Sequence, residues 1–115
     1  MAICYLHPSS FSNFAVPSSI VQITQDQNVT EGHNVTLMCN VSGIPLPMVS
    51  WMTPDSRRVS GYKLEVTNIN RTQAGEYKCE AINECGNATE KANIIVLRKF
   101  DSSFSLKVYV YLRVL

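Results

Sequence analysis

Residues 75–81 read Gly-Glu-Tyr-Lys-Cys-Glu-Ala and residues 35–41 read Val-Thr-Leu-Met-Cys-Asn-Val, and these two stretches decide the fold. In each, apolar residues alternate with mostly polar ones around a cysteine, which is the pattern of a half-buried β-strand. A disulfide between Cys39 and Cys79 would close a long loop. In the chain-entropy description such a bond stabilises a small domain by about 4 kcal/mol.

Short segments of the same kind lie on both sides of these two stretches. Further strands are predicted at residues 20–24, 48–53, 62–67 and 92–96. Clusters of turn residues separate the segments, for example Glu31-Gly32-His33 and Glu84-Cys85-Gly86-Asn87. No helical period is sustained anywhere, so the expected fold class is all-β, an antiparallel two-sheet sandwich with Greek-key connections.

Changes in composition divide the chain into three parts. Residues 1–19 are rich in Ser, Pro and Phe and are expected to form a poorly ordered leader. The sandwich domain is expected at residues 20–97. Residues 98–115 form a C-terminal extension of unclear structure, in which residues 108–112 have strong β-propensity.

Length and charge exclude several classes of protein. The chain has 115 residues, ten basic and nine acidic side chains and a net charge of +1, so it is one domain without the basic excess of a nucleic-acid binder. No apolar run is long enough to span a membrane. The first residues lack a basic segment and Pro8 stops their apolar stretch, so no signal peptide is visible. For an extracellular domain, this suggests that the chain is part of a longer protein.

Asparagine sequons are frequent in the chain. The five candidate glycosylation sites are Asn28, Asn34, Asn40, Asn70 and Asn87. The composition alone would give about 1.5 sequons by chance. The alternative explanation for the number of sequons is that β-strands are rich in Asn and Thr in any case. The favoured interpretation is a glycoprotein of the secretory pathway, located outside the cell or at its surface, where disulfides persist.

The motifs around the cysteines, taken together, resemble an immunoglobulin-superfamily domain. The matching pieces are Glu31-Gly32, Val35-x-Leu37-x-Cys39, Gly43-x-Pro45-x-Pro47, Trp51, Leu64-x-Val66, Gly75-x-Tyr77-x-Cys79 and Asn83-x-x-Gly86-x-Ala88. The domain looks like the I-set variety in a short-loop form, as found in neural adhesion molecules and hemicentins.

The resemblance implies roles for the core residues. Cys39 and Cys79 would be bonded across the two sheets, with the indole of Trp51 packed against the bond. The hydroxyl of Tyr77 would bond to backbone near Gln73, forming a tyrosine corner. The remaining residues of the core signature are Leu37, Leu64 and Gly75.

Two departures from the family pattern stand out. Gln73 takes the place of the usual Asp, so Arg57 or Arg58 would contact it by a hydrogen bond without an ion pair. Few positions separate Trp51 from Leu64, which predicts a domain of seven strands or fewer.

The two other cysteines have open assignments. Cys85 falls at an exposed turn, and Cys4 precedes the first strand at the same end of the sandwich. A Cys4–Cys85 disulfide is one alternative, and a free or intermolecular thiol at Cys85 is favoured. Neither cysteine has zinc-site spacing, so no metal and no cofactor are expected.

No catalytic motif is present in the sequence. The histidines, His7 and His33, are not paired with a nucleophile, and there is no phosphate-binding loop and no H-E-x-x-H. The expected function is therefore not enzymatic.

Alternation also assigns a candidate protein-binding face. On the Cys39 strand the outward residues include Asn34 and Asn40, whose glycans would shield that sheet. On the other sheet the outward candidates are Met48, Met52, Lys78, Glu80, Ile82 and Ile95, with one sequon, Asn87, near the edge. We expect the apolar members to form one patch for protein contact and the charged pair to set specificity. The alternative is a scatter of surface apolar residues.

These observations predict a non-catalytic extracellular recognition module, acting in cell adhesion or cell-surface recognition. Its partners would be other cell-surface or matrix proteins, including a second copy of itself, with no nucleic acid and no membrane span in this chain. The rival functions are a structural spacer of an extracellular-matrix protein and an ectodomain piece of a receptor kinase or phosphatase.

Overall fold

The structure is a computed structural model that describes residues 15–98. Most of the predicted leader and nearly all of the predicted C-terminal extension lie outside these residues. The described part contains eight strands and one short 3-10 turn, Arg71–Gln73. The strands are β1 Val16–Ile23, β2 Gln27–Thr30, β3 Val35–Ile44, β4 Met48–Met52, β5 Arg58–Ser60, β6 Lys63–Val66, β7 Gly75–Asn83 and β8 Gly86–Leu97.

The strands form two sheets, with the orders β1-β3-β6 and β2-β8-β7-β4-β5. The chain passes between the sheets in five connections, β1–β2, β2–β3, β3–β4, β5–β6 and β6–β7. The predicted all-β, two-sheet immunoglobulin-like sandwich is confirmed. One pair departs from the antiparallel rule, because β2 runs parallel to β8. The N-terminal segment leaves the first sheet after Ile23 and joins the second, where Asp26 Oδ1 accepts a hydrogen bond from the backbone N–H of Asn93 at 2.8 Å.

The first strand begins at Val16, four residues before the predicted Ile20. Composition suggested a leader here, yet β1 pairs with β3 from Val16 opposite Ile44, and Ala15 is buried. The side-chain amide of Asn83 also donates to the carbonyl oxygen of Val16 at 2.7 Å. Pairing with an existing strand has overridden the weak local strand preference.

The strand count differs from the expected seven or fewer. One strand, the three-residue β5, lies between β4 and β6, as the short spacing from Trp51 to Leu64 requires. Gly61 has φ +110 between β5 and β6, a backbone conformation that residues with a Cβ rarely adopt. The eighth strand arises because the N-terminal segment is divided into β1 and β2.

The core lies between the sheets and is centred on a covalent bond. Cys39 on β3 and Cys79 on β7 are joined by the predicted disulfide, with Cα atoms 6.5 Å apart. Trp51 is fully buried in the same cluster, and its Nε1 donates to the carbonyl oxygen of Tyr62 at 3.0 Å. The apolar surface of the indole is therefore buried, and its one polar group has a hydrogen-bond partner.

The remaining signature residues lie around this centre. Leu37 and Leu64 are buried and face each other in the β3–β6 register. The hydroxyl of Tyr77 donates to the carbonyl oxygen of Gln73 at 2.6 Å, at the position that the resemblance implied. Gly75 opens β7 with φ +136, and a Cβ there would lie 3.1 Å from Pro54. Both the backbone conformation and the space at this position favour glycine.

Candidate functional site: the outward face of the five-stranded sheet

Alternation along β7 separates the core from the outer surface. Tyr77, Cys79 and Ala81 point inward and are buried. Lys78 and Ile82 point outward and are exposed, and Glu80 is half-buried. Because neighbours in register project to the same side, β7 aligns the outward residues of β4 on one flank and β8 on the other.

At one end of this face two apolar side chains are direct neighbours. Met48 on β4 is in register with Ile82 on β7, and their exposed fractions are 80% and 39%. We call these two residues the apolar row. The next residue across the sheet is Asn87 on β8, which is in register with Ile82.

The centre of the face is polar and internally paired. Arg58 on β5 donates from Nη1 to Ser50 Oγ at 2.8 Å and to Glu80 Oε1 at 2.9 Å. The arginine reaches across β4 to do this, because Ser50 and Glu80 are themselves in register. Sequence reasoning named Arg58 only as a contact of Gln73 and did not place it on this face, since the three-residue strand that contains it has no recognisable alternation. Its charge neutralises Glu80, which had been predicted to set specificity together with Lys78.

Beyond this centre lies a row of positive charge. Met52 is in register with Arg58 on one side and Lys78 on the other, and Lys78 is in register with Lys91. Lys91 lies 3.6 Å from Glu76, which offsets part of the charge. Arg58 is also at this level, but its charge is paired with Glu80, so we call Lys78 and Lys91 the basic row. Like charges placed directly opposite each other on neighbouring strands repel, so this row favours an anionic group on a partner.

The structure does not bring all the predicted apolar residues into one patch. Met52 lies four residues along β4 from Met48, about 13 Å away, and it is in register with Lys78 of the basic row. Ile95 is exposed on β8 but is in register with Asn28 of β2, about 26 Å from the level of Asn87. Sequence reasoning placed outward residues on one side correctly but had no strand register with which to place them along it.

The sequons are also distributed differently from the expectation. Two of them lie on this face, Asn87 beside the apolar row and Asn28 beside Ile95. The prediction of one sequon is wrong, because β2 joins this sheet through β8. Asn40 is exposed on β3 of the other sheet, and Asn34 accepts a hydrogen bond from the backbone N–H of Asn68 at 3.0 Å.

The fifth sequon residue, Asn70, caps the 3-10 turn. Its side-chain oxygen accepts from the backbone N–H of Thr72 at 2.9 Å, and the side chain of Gln73 accepts from the backbone N–H of Asn70 at 2.9 Å. This reciprocal capping box uses the Gln73 side-chain oxygen. The expected hydrogen bond from Arg57 or Arg58 to Gln73 is therefore replaced. Arg57 lies 3.1 Å from Asp55 instead.

The titratable groups with shifted pKa values lie near the tyrosine corner. The hydrogen bond from Thr53 is the main cause that holds the pKa of Asp55 below its ordinary value of 3.8, and the charge of Arg57 adds to it. Burial raises the pKa of Tyr77 above 10.0, and the charge of Asp55 adds to that. With Gln73 and others they line a cavity of about 340 Å³. The hydroxyl and carboxylate are held in structural hydrogen bonds, and the arrangement resembles a stabilised turn more than a catalytic pair.

The flank of the sandwich beside β6 is open. Among residues 15–98, β6 pairs with β3 only from Val35 to Met38, and Cys39 adds one backbone hydrogen bond to Tyr62, so the part of β3 after Cys39 has no described strand on that side. A groove of about 540 Å³ lies there, where Val41 and Val49 are half-buried between the sheets. Leu46, with an exposed fraction of 77%, forms part of its wall. Sequence reasoning treated this leucine only as part of a strand break.

Cys85 lies in the two-residue turn between β7 and β8 and is disulfide-bonded. The favoured expectation of a free thiol is therefore wrong. The other residue named for a pairing, Cys4, lies outside the described residues.

Within residues 15–98 no helix has the length and hydropathy required to cross a bilayer. The same part of the chain contains no cluster of three or more His, Cys, Asp or Glu that could hold a metal ion.

Comparisons with known proteins agree with this architecture. The family model described as the immunoglobulin I-set domain matches residues 18–96. The limbic system-associated membrane protein of Rattus norvegicus is 42% identical over 80 residues, covering 66% of this chain and 24% of the rat protein. IgLON family member 5 of Homo sapiens is 39% identical over 82 residues, covering 70% of this chain and 24% of the human protein. The chain thus spans about a quarter of the length of these relatives.

A solved structure shows the same fold. The complex of Dpr11 IG1 bound to DIP-gamma matches with a TM-score of 0.70 and 26% identity, covering 74% of this chain and 50% of the matched chain. In that structure one immunoglobulin protein is bound to another, which directs attention to the surface rather than the core.

Proposed function

Since the chain belongs to the immunoglobulin I-set family, we propose that it is a non-catalytic protein-recognition module that acts outside the cell or at the cell surface, in adhesion or recognition. The names of two relatives support the proposal. One is named as a membrane protein, which supports the location, and the other is named as an IgLON family member, which supports the class of protein. The similar Dpr11–DIP-gamma structure supports recognition of one protein by another.

The observation that carries the proposal is the apolar row. Met48 and Ile82 are exposed neighbours on two strands that are paired along five positions, so they form a rigid apolar surface. Apolar contacts at the centre of an interface supply much of its affinity, and methionine adapts its shape to a partner.

The surroundings suit a polar rim. The charge of Glu80 is already paired with Arg58, so covering the apolar row would not leave a buried carboxylate without a partner. The basic row stands farther from the apolar row and would meet acidic side chains of a partner, such as another cell-surface or matrix protein.

A second copy of the chain is an acceptable partner on electrostatic grounds. If two faces docked about a two-fold axis that runs along the apolar row, across the strands, their basic rows would lie on opposite sides of the axis. Met52 lies about 13 Å from Met48 along β4, so the two rows would be about 26 Å apart. Charges at that distance are screened at physiological ionic strength, where the Debye length is about 8 Å.

The test is the double substitution Met48→Ser with Ile82→Ser. We expect association, measured by analytical ultracentrifugation and by capture of cell-surface proteins on beads, to weaken about tenfold or more. Thermal unfolding should change little, because both side chains lie on the surface. The matched control is Ile95→Gln, which replaces an apolar side chain at the far end of the same face with a polar one, creates no sequon and should leave association unchanged.

Three results would contradict the proposal. Association of the double variant could equal that of the parent chain, or Ile95→Gln could weaken it equally. If the parent chain bound neither itself nor any protein on cells, a structural spacer would be the better description.

A further inference from the structure

We call the outward face of the five-stranded sheet the recognition face. Of the five sequon asparagines, Asn87 alone lies beside the apolar row on this face. It is exposed, and it is in register with Ile82, which is in register with Met48. We propose that an N-linked glycan on Asn87 lies over the apolar row and controls whether that row can be contacted. The consequence for binding rests on the proposed function, whereas the covering of the row can be tested without a partner.

The geometry follows from strand pairing. Residues in register on antiparallel strands project to the same side of the sheet, and adjacent strands are about 4.8 Å apart. Asn87 is therefore one strand from Ile82 and two strands, about 10 Å, from Met48. A branched glycan is bulky and hydrated, so it covers apolar side chains at this distance.

The sequon is placed where modification is feasible. Asn87 is the second residue of β8, next to the two-residue turn that leads from β7. Ala88 points inward opposite Ala81, and Thr89 is exposed opposite Glu80. The asparagine and the threonine thus both lie on the outer surface, while the small residue between them packs inward.

The other sequons cannot cover the apolar row. Asn28 lies beside Ile95 at the far end of the same face, and Asn40 lies on the outward side of the other sheet. Asn34 and Asn70 lie outside the five strands of this face and contact Asn68 and Thr72, respectively. Occupancy of Asn87 alone would then divide the protein into a covered and an open form.

The experiment measures access to Met48 directly. The 115-residue chain is secreted from glycosylating cells behind a heterologous secretion signal, and dilute hydrogen peroxide converts exposed methionines to sulfoxides. The rate at each methionine is read by peptide mass spectrometry in the parent chain and in Thr89→Val, which removes the sequon but keeps Asn87 and a β-branched side chain. We expect Met48 to be oxidised several-fold faster in the variant.

A crossed control uses the other sheet. Met38, with an exposed fraction of 40%, points to the same side of β3 as Asn40. Ser42→Ala removes the Asn40 sequon, so it should speed the oxidation of Met38 and leave Met48 unchanged, whereas Thr89→Val should leave Met38 unchanged. A second variant, Asn87→Gln, removes the same sequon and should reproduce the result of Thr89→Val, which separates loss of the glycan from a folding defect of either substitution.

Association is measured on the same samples. Removing the Asn87 glycan should strengthen it about tenfold, and this gain should vanish in the Met48→Ser, Ile82→Ser background. Equal oxidation rates at Met48 with and without the sequon would overturn the inference, as would an unmodified Asn87 in the glycopeptides. Faster oxidation without any change in association would uphold the covering and refute the proposed function instead.

Discussion

The two sides of β7 contain alternating residues of the same nine-residue strand and have different physical roles. Inward, Tyr77 and Cys79 make directional bonds to single partners, a backbone carbonyl and a sulfur atom. Outward, Lys78 and Ile82 are exposed and can meet different groups without unfolding the domain. The comparison teaches that stability and recognition are encoded on opposite sides of the same strand, and substitutions should separate them.

The largest effect is expected from the covalent bond on the inward side. Replacing Cys39→Ala and Cys79→Ala together should lower the free energy of unfolding by about 4 kcal/mol, because the unfolded chain regains the entropy of a long loop. Urea denaturation followed by tryptophan fluorescence of Trp51 measures this loss. A loss below about 1 kcal/mol would mean that sheet packing alone holds the two layers. The inward side of β7 would then not contain the main stabilising bond of the domain.

A smaller effect is expected at the tyrosine corner. Tyr77→Phe removes one hydrogen bond, which ordinarily contributes about 1 kcal/mol, and leaves the carbonyl oxygen of Gln73 without that donor. The control is Tyr62→Phe, because Tyr62 has an exposed fraction of 53% and the variant should change the free energy of unfolding by no more than about 0.5 kcal/mol. Equal losses in the two variants would show that burial does not decide the role of these tyrosines.

The inward side was largely predictable from sequence because its signal is local. Alternation around Cys39 and Cys79 identifies the strands and their buried faces, and the disulfide and Trp51 fix how the two sheets meet. These features depend on residue type at short spacing, so a single sequence contains them.

The outward side was less predictable because it depends on register and on strand partners. Asn28 belongs to the recognition face only because β2 crosses to β8, and Ile95 is distant from Met48 only because β8 is twelve residues long. Arg58 enters the face through a three-residue edge strand. None of these placements follows from alternation, which determines the side of a sheet but not the position along it.

The central ion pair tests whether an outward contact stabilises the domain. Arg58→Met removes the bonds to Ser50 and Glu80, and the free energy of unfolding should fall by less than about 1 kcal/mol, because the arginine side chain is half exposed and screened. Association of the Arg58→Met variant with a partner protein should nevertheless become more sensitive to substitution of Glu80, because the Glu80 carboxylate has lost its ion-pair partner. The control is Lys63→Met on the other sheet, where the ion pair to Glu65 is 3.8 Å long and exposed. A loss above about 2 kcal/mol for Arg58→Met would place this pair with the inward residues.

The smallest effect is expected at Asp55, and it should appear only in acid. Its folded pKa is below its unfolded value of 3.8, so the carboxylate contributes stability that is fully present above pH 3.8 and is lost as the pH falls through the lower, folded value. Asp55→Asn should therefore reduce the difference in thermal unfolding temperature between neutral and acid pH. Thr53→Val removes the main cause of the lowered pKa and should act in the same direction, whereas Thr53→Ser keeps the hydroxyl and should behave like the parent chain. If Asp55→Asn left the acid limb unchanged, the Asp55 carboxylate would contribute nothing to folding through its hydrogen bond from Thr53 and its ion pair with Arg57.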